Sequence, residues 1–166
     1  EDPIIRNDVI MMMMTGMNVS PTHTMTRNVG IRRILPKPVT ERQLKTAIAE
    51  ELGHLKRLHE QTPTLSNADL EGLKQLRVLI AEDNHLSQKV IRGMLGKLGV
   101  QATVVANGRE VVEEVSRREY DIVLMDCDMP FMDGYAATQA IREWERVTSR
   151  KTIPILALTA HILDEH

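Results

Sequence analysis

From Arg77 onward, short apolar runs alternate with longer amphipathic stretches, and that alternation limits the possible folds more than any other feature of the chain. The runs at 78–81, 102–106, 122–125 and 153–158 predict strands, and the stretches at 85–98, 109–118 and 135–148 predict helices. The runs are too short for helices and almost wholly apolar, which suits strands covered on both faces. Strands separated by helices of roughly ten to fifteen residues imply parallel βαβ units in an α/β fold. Gly99 closes the first helix, and Asn107-Gly108 turns the chain into the second.

The front of the chain carries a similar but shorter pattern. Val9 to Met14 is an apolar run closed by Thr15-Gly16, and its methionines suit core filling better than a metal site, because neighbouring strand residues point to opposite faces. Ser20-Pro21 starts a predicted helix that closes at Gly30. Residues 31–35 form a predicted strand, broken by Pro36-Lys37-Pro38. Thr40-Glu41-Arg42-Gln43 has the spacing of a capping box for a helix running to about His59. Leu44, Ala47, Ile48, Glu51, Leu52, Leu55 and Leu58 give that helix a mostly apolar stripe. Residues 61–67 (QTPTLSN) read as a linker, and 69–76 add a short helical turn.

Composition narrows the function. The chain has 166 residues and a net charge of -2, so no basic surplus points to nucleic acid. Its longest early apolar run is too short to span a bilayer. Cys127 is the sole cysteine, which rules out an internal disulfide and fits a reducing compartment. With one Phe, one Trp and two Tyr, the core must come from aliphatic residues and Met. The first residue is Glu1, and the chain reads as an excised piece of something longer.

The chemistry gathers at strand ends. In a doubly wound parallel sheet, ligands bind outside the carboxyl ends of the strands where the winding reverses. Glu82-Asp83 closes the strand at 78–81, and Asp126 closes the one at 122–125. If these strands are neighbours, three carboxylates converge, and they repel one another unless a cation fills the space. An all-oxygen donor set points to Mg²⁺, with Asp126 as a carboxylate nucleophile toward phosphorus. Taken alone, Glu82-Asp83-Asn84 is an acid-decorated helix start and Asp133-Gly134 a plain turn. The combination with Thr159-Ala160 at the end of the last strand favours a site.

At this point the chain resembles the receiver domains of response regulators and hybrid sensor histidine kinases. The likeness rests on VLIAEDN (78–84), VLMDCDMPFMDG (123–134) and PILALTAH (154–161). It implies a flavodoxin-like doubly wound five-stranded parallel sheet of order 2-1-3-4-5. It makes Asp126 the phosphoacceptor, with Glu82 and Asp83 holding Mg²⁺ together with the backbone carbonyl of Asp128. Thr159 is then the hydroxyl that bonds the phosphoryl group, and Asp128 and His161 tune its hydrolysis. The implied partners are a histidine kinase or histidine phosphotransfer protein and the other domains of a parent hybrid kinase. The parent is expected in the bacterial inner membrane with these domains in the cytoplasm.

The family also places a lysine, in a Lys-Pro pair, at the end of its fifth strand, and the segment from Arg77 ends before any such strand. The front supplies one as Lys37-Pro38. We therefore divide the chain into the C-terminal part of a first receiver (1–60), a linker (61–75) and strands one to four of a second (76–166). The front strand is expected to complete the second sheet, as in a circular permutation or a domain-swapped homodimer, with Lys37 facing Asp126. Either Thr15 or Thr159 could hold the fourth-strand threonine position. Two rival readings remain: an unphosphorylated interaction scaffold, and a phosphohydrolase acting on free phosphoesters. A phosphodonor role for His54 or His59 is disfavoured, because the residues around them do not resemble a histidine kinase donor box.

Overall fold

The computed structural model describes residues 28–56 and 71–159. The expectations placed on 9–27, on 57–70 and on Ala160 and His161 lie outside these residues. The elements run β1 (Arg33–Pro36), α1 (Glu41–Lys56), β2 (Arg77–Ala81), α2 (His85–Lys97), β3 (Gln101–Val105), α3 (Gly108–Arg117), β4 (Ile122–Asp126), α4 (Gly134–Thr148) and β5 (Ile155–Thr159).

All five strands form one parallel sheet in the order β1-β5-β4-β2-β3. With β2 counted as the first strand and β1 as the fifth, this is the expected 2-1-3-4-5. The strand that comes first in the sequence thus lies at the sheet edge beside β5, pairing Arg33 with Leu156 and Pro36 with Thr159. The winding reverses at β2, which pairs with β3 on one side and β4 on the other. Every residue of β4 is buried, as is β2 beyond Arg77, while the edge strands β1 and β3 are only partly covered. That gradient is why the central strands read as unbroken apolar runs.

Local chemistry sets the helix starts. Thr40 and Gln43 form the expected capping box, each backbone N–H donating to the other's side-chain oxygen at 3.0 and 3.2 Å. The side chain of Asn84 accepts from the N–H groups of Leu86 and Ser87, and that of Asn107 from Glu110. Asp133, a plain turn residue by sequence, caps α4 by accepting from Ala136 N–H at 2.8 Å. Leu44, Ala47, Ile48 and Glu51 of the α1 stripe are buried, and Glu51 faces Arg32 at 3.2 Å. The last strand begins at Ile155 rather than 153, because Pro154 has no N–H to give the ladder and only its carbonyl accepts, from Val123. Pro36 ends β1 inside the sheet rather than before it, a position that an edge strand tolerates. Among the described residues, no helix is long and apolar enough to cross a membrane.

One buried ion pair ties α4 to the approach of β5. Arg142 donates to Glu145 at 2.6 Å and to the carbonyl of Ile153 at 2.9 Å, while the Ile153 N–H donates back to Glu145 at 2.7 Å. Burial is the largest influence on Glu145 and raises its pKa, against the opposing pull of Arg142 and Ile153. Removing the carboxylate strands both a buried guanidinium and a backbone donor. Glu145→Ala is therefore expected to cost about 3 kcal/mol in urea unfolding. Glu143→Ala, which breaks only the solvent-exposed pair with Arg146, should leave the midpoint nearly unchanged.

Candidate functional site

The pairing of β2 with β4 brings the two acidic strand ends together. Glu82 follows β2 directly and is fully buried, Asp83 beside it is exposed, and Asp126 ends β4 with 3 % of its surface accessible. Each of these three offers a carboxylate oxygen, and those oxygens all lie within 4.8 Å of one another. The sequence-based expectation of three converging carboxylates is therefore what the sheet produces.

Several contacts fix the orientation of each acid. One oxygen of Glu82 accepts from the Asn84 N–H at 3.2 Å, and its backbone carbonyl accepts from the Gln88 side chain at 2.6 Å. Asp126 Oδ1 accepts from the N–H of Asp128 at 2.9 Å, which holds the following loop close. That loop returns at Gly134, whose N–H donates to the Cys127 carbonyl. A Cβ on Gly134 would sit 2.5 Å from the Asp126 carbonyl oxygen, so only glycine allows α4 to start there. Midway along the loop, Phe131 adopts a left-handed backbone (φ 68°) with its ring exposed. Cys127 is buried, and burial foremost drives its thiol pKa far up, which suits a packing residue rather than a reactive one.

Lys37 enters from β1. Its ammonium donates to Glu82 Oε2 at 2.6 Å and to Asp126 Oδ2 at 2.9 Å. Burial opposes the ammonium, but the hydrogen bonds and charges of the two carboxylates outweigh it and hold its pKa above the ordinary value. Glu82 moves the other way for an acid. Burial first, then the nearby Asp126 charge, push it up to about 7 against the pull of Lys37. One lysine thus leaves the acids under-compensated. The remaining donor set is all oxygen with one acid open to solvent, which suits a hard divalent cation.

The structure brings Glu82, Asp83, Asp126 and Lys37 together. Asp128 contributes its N–H to Asp126 in this state. Thr159 ends β5 in register with Pro36, next to Leu158, which pairs with Asp126, so its backbone lies at the same sheet edge. His161 lies outside the described residues. Sequence reasoning missed Asn84 and Gln88 as supports for Glu82. Asn84 was detectable as an N-cap candidate two residues after the acid, whereas nothing in the pattern marks Gln88.

Comparison with known proteins follows the same outline. The response regulator receiver domain family matches residues 78–166. The sensor protein GacS of Pseudomonas syringae pv. syringae is 35 % identical over 127 residues, covering 76 % of this chain and 13 % of GacS. The chain thus spans only a small fraction of the length of the curated sensor kinases it matches. The receiver domain of sensor histidine kinase PA1611 from Pseudomonas aeruginosa PAO1, crystallised with a magnesium ion coordinated in its active site cleft, is 41 % identical. That match covers 54 % of this chain and 70 % of that one, with a TM-score of 0.47. A mutant of the receiver domain of the histidine kinase CKI1 from Arabidopsis thaliana superposes with a TM-score of 0.52 at 36 % identity. It covers 59 % of this chain and 74 % of that chain. With the family match extending over more than half of its residues, this chain belongs to the response regulator receiver domains.

Proposed function

We propose that the chain takes a phosphoryl group from a phosphohistidine partner onto the carboxylate of Asp126. The observation that carries this reading is the position of Asp126: one oxygen meets Lys37 at 2.9 Å, and the carboxylate lies within ligand range of Glu82 and Asp83. An Asp126 oxygen forms the new O–P bond as the N–P bond to the donor imidazole breaks, and the electron pair of that bond returns to the imidazole nitrogen. The products are an acyl phosphate and a free histidine.

Glu82, Asp83 and Asp126 are the side chains that would hold Mg²⁺, with the backbone carbonyl of Asp128 as a further ligand. Bound there, the ion supplies positive charge against the transferring phosphoryl oxygens. Lys37 gives the second cation: its ammonium already touches Asp126 and can pair with phosphoryl oxygens without crossing the site. Thr159 is assigned the hydroxyl contact to the phosphoryl group, supported by its backbone position at this sheet edge. Asp128 and His161 are assigned the tuning of hydrolysis, on the family likeness of their positions.

The division at 1–60, 61–75 and 76–166 belongs to the same proposal. Its support is that β1 holds the fifth place of the sheet and delivers Lys37, while the family match starts at 78. The same contacts are available across a swapped homodimer. The parent is read as a hybrid sensor kinase in the bacterial inner membrane, with this region in the cytoplasm, donating to or receiving from a histidine phosphotransfer protein. The similarity to GacS, a sensor protein, supports the sensor part of that reading, and the match to the receiver domain family supports the relay part.

Two measurements follow. Incubation with phosphoramidate and Mg²⁺ should add one phosphoryl mass that hydroxylamine removes. Asp126→Asn should add none, and Lys37→Ala should slow labelling by about a hundredfold. No adduct on the wild-type chain would instead favour an interaction scaffold, and steady turnover of a free phosphoester would favour a hydrolase.

The second concerns pH. The Glu82 pKa is raised from 4.5 to about 7, so the folded state favours the protonated acid. Its contribution to stability is present at low pH and is lost as pH rises through about 7. Without metal, the melting temperature of the wild type should therefore fall relative to Glu82→Gln between about pH 5 and pH 8. Mg²⁺ should restore the wild type at the upper end, because it binds the ionised form.

A further inference from the structure

The loop between β4 and α4 carries groups that the acid cluster depends on, yet little packing fixes it. The Asp128 N–H holds Asp126 Oδ1 at 2.9 Å, and the Asp128 carbonyl is the further ligand assigned to Mg²⁺. Asp128, Pro130, Phe131 and Asp133 are all exposed. The Met132 N–H donates to the Pro130 carbonyl at 2.8 Å across Phe131, whose left-handed backbone (φ 68°) makes a strained three-residue turn. Such a turn persists only where its surroundings hold it.

That hold comes from another element. Gly108, the first residue of α3, donates its N–H to the Met132 carbonyl at 3.0 Å. The first N–H groups of a helix have no partner within it, and the loop takes this one. Asn107 orients the helix start by accepting from the Glu110 N–H at 3.1 Å, while the Glu110 side chain accepts from the Ala106 N–H at 2.8 Å. The approach is close enough to require glycine. A Cβ on Gly108 would lie 2.5 Å from the Met132 carbonyl oxygen, 2.8 Å from Met132 Cγ and 2.9 Å from the Ala137 Cβ. Backbone conformation does not explain the residue, since the left-handed glycines among the described residues are Gly30 and Gly99. Helix propensity does not explain it either, because alanine is the better helix former.

We infer that Gly108 is a positioning residue for the acid cluster: by letting the start of α3 close onto Met132, it sets where the loop presents Asp128 to Asp126 and to Mg²⁺. This rests on the metal-site part of the phosphoacceptor reading. Gly134 seats the end of the loop against the Asp126 backbone, and Gly108 fixes it from the side, on a helix that follows the edge strand β3. The site is then braced from both margins of the sheet, by α3 after β3 and by Lys37 after β1.

The test compares the full chain with Gly108→Ala. Gly93→Ala, where an added Cβ meets nothing within 4 Å, controls for the substitution itself. Glu145→Ala controls for lost stability. Mg²⁺ is titrated at a temperature where each variant is folded and followed by amide NMR. The inference expects Gly108→Ala to bind Mg²⁺ at least about tenfold more weakly, the loss typical when a group that orients a metal ligand is disturbed. Both controls should bind as the wild type does. In the metal-free protein, Gly108→Ala should also shift the Asp128 and Met132 amide resonances, which Glu145→Ala should leave in place. If Gly108→Ala does not fold, Asn107→Ala takes its place, because it loosens the start of α3 without adding an atom, and it should weaken Mg²⁺ binding in the same direction. Unchanged Mg²⁺ affinity in the folded α3 variant, or an equal loss in Glu145→Ala, overturns the inference. Absence of saturable Mg²⁺ binding by the wild type overturns the metal-site reading instead, so the two failures are distinguishable.

Discussion

Carboxylates on two adjacent parallel strands are forced together at the sheet edge, and the rest of the site answers their repulsion. The β2–β4 pairing places Glu82 and Asp126 where neither can be fully solvated. Lys37 bridges them, the Asp128 and Asn84 N–H groups each take an oxygen, and Glu82 is still held near neutral pH by burial. A cluster kept in this condition is primed for positive charge. The same property lets it accept a cation and then a transferring phosphoryl group, so the instability of the resting site and its proposed activity have one origin.

The fold supplies rigidity where the chemistry needs it. The central strands β2 and β4 are buried along nearly their whole length, and the acids sit immediately beyond or at their last residues. Gly134 lets α4 begin against the Asp126 backbone, and Arg142 with Glu145 fastens that helix to the entry of β5. The lysine, by contrast, comes from an edge strand that is distant in sequence, 89 residues from Asp126. One face of the pocket is thus built on the core and the other on the sheet margin. The lysine side is the part that depends on how the front of the chain packs.

Much of this was legible in the residues. The alternation of apolar runs with helical stretches gave the sheet class, and an acid closing each of two such runs identified the cluster. These signals are local: a strand length, a cap, a turn. What was illegible depends on tertiary neighbours. That Lys37 touches Glu82 as well as Asp126 follows from the packing of β1 beside β5, and no spacing in the sequence encodes it. Asp133 looked like a turn residue because a cap and a turn use the same side chain for the same hydrogen bond, and only the helix behind it separates them. The late start of β5 was readable in principle, since Pro154 cannot donate to a ladder.

The most direct test of the account is a Mg²⁺ titration of the wild-type chain followed by backbone amide NMR at neutral pH. The account predicts saturable shifts concentrated at 82–84 and 126–128, at the ends of two strands that are neighbours only in the fold. Shifts that never saturate, or that spread over surface acids such as Glu113 and Glu119 while 82–84 and 126–128 stay still, would contradict it.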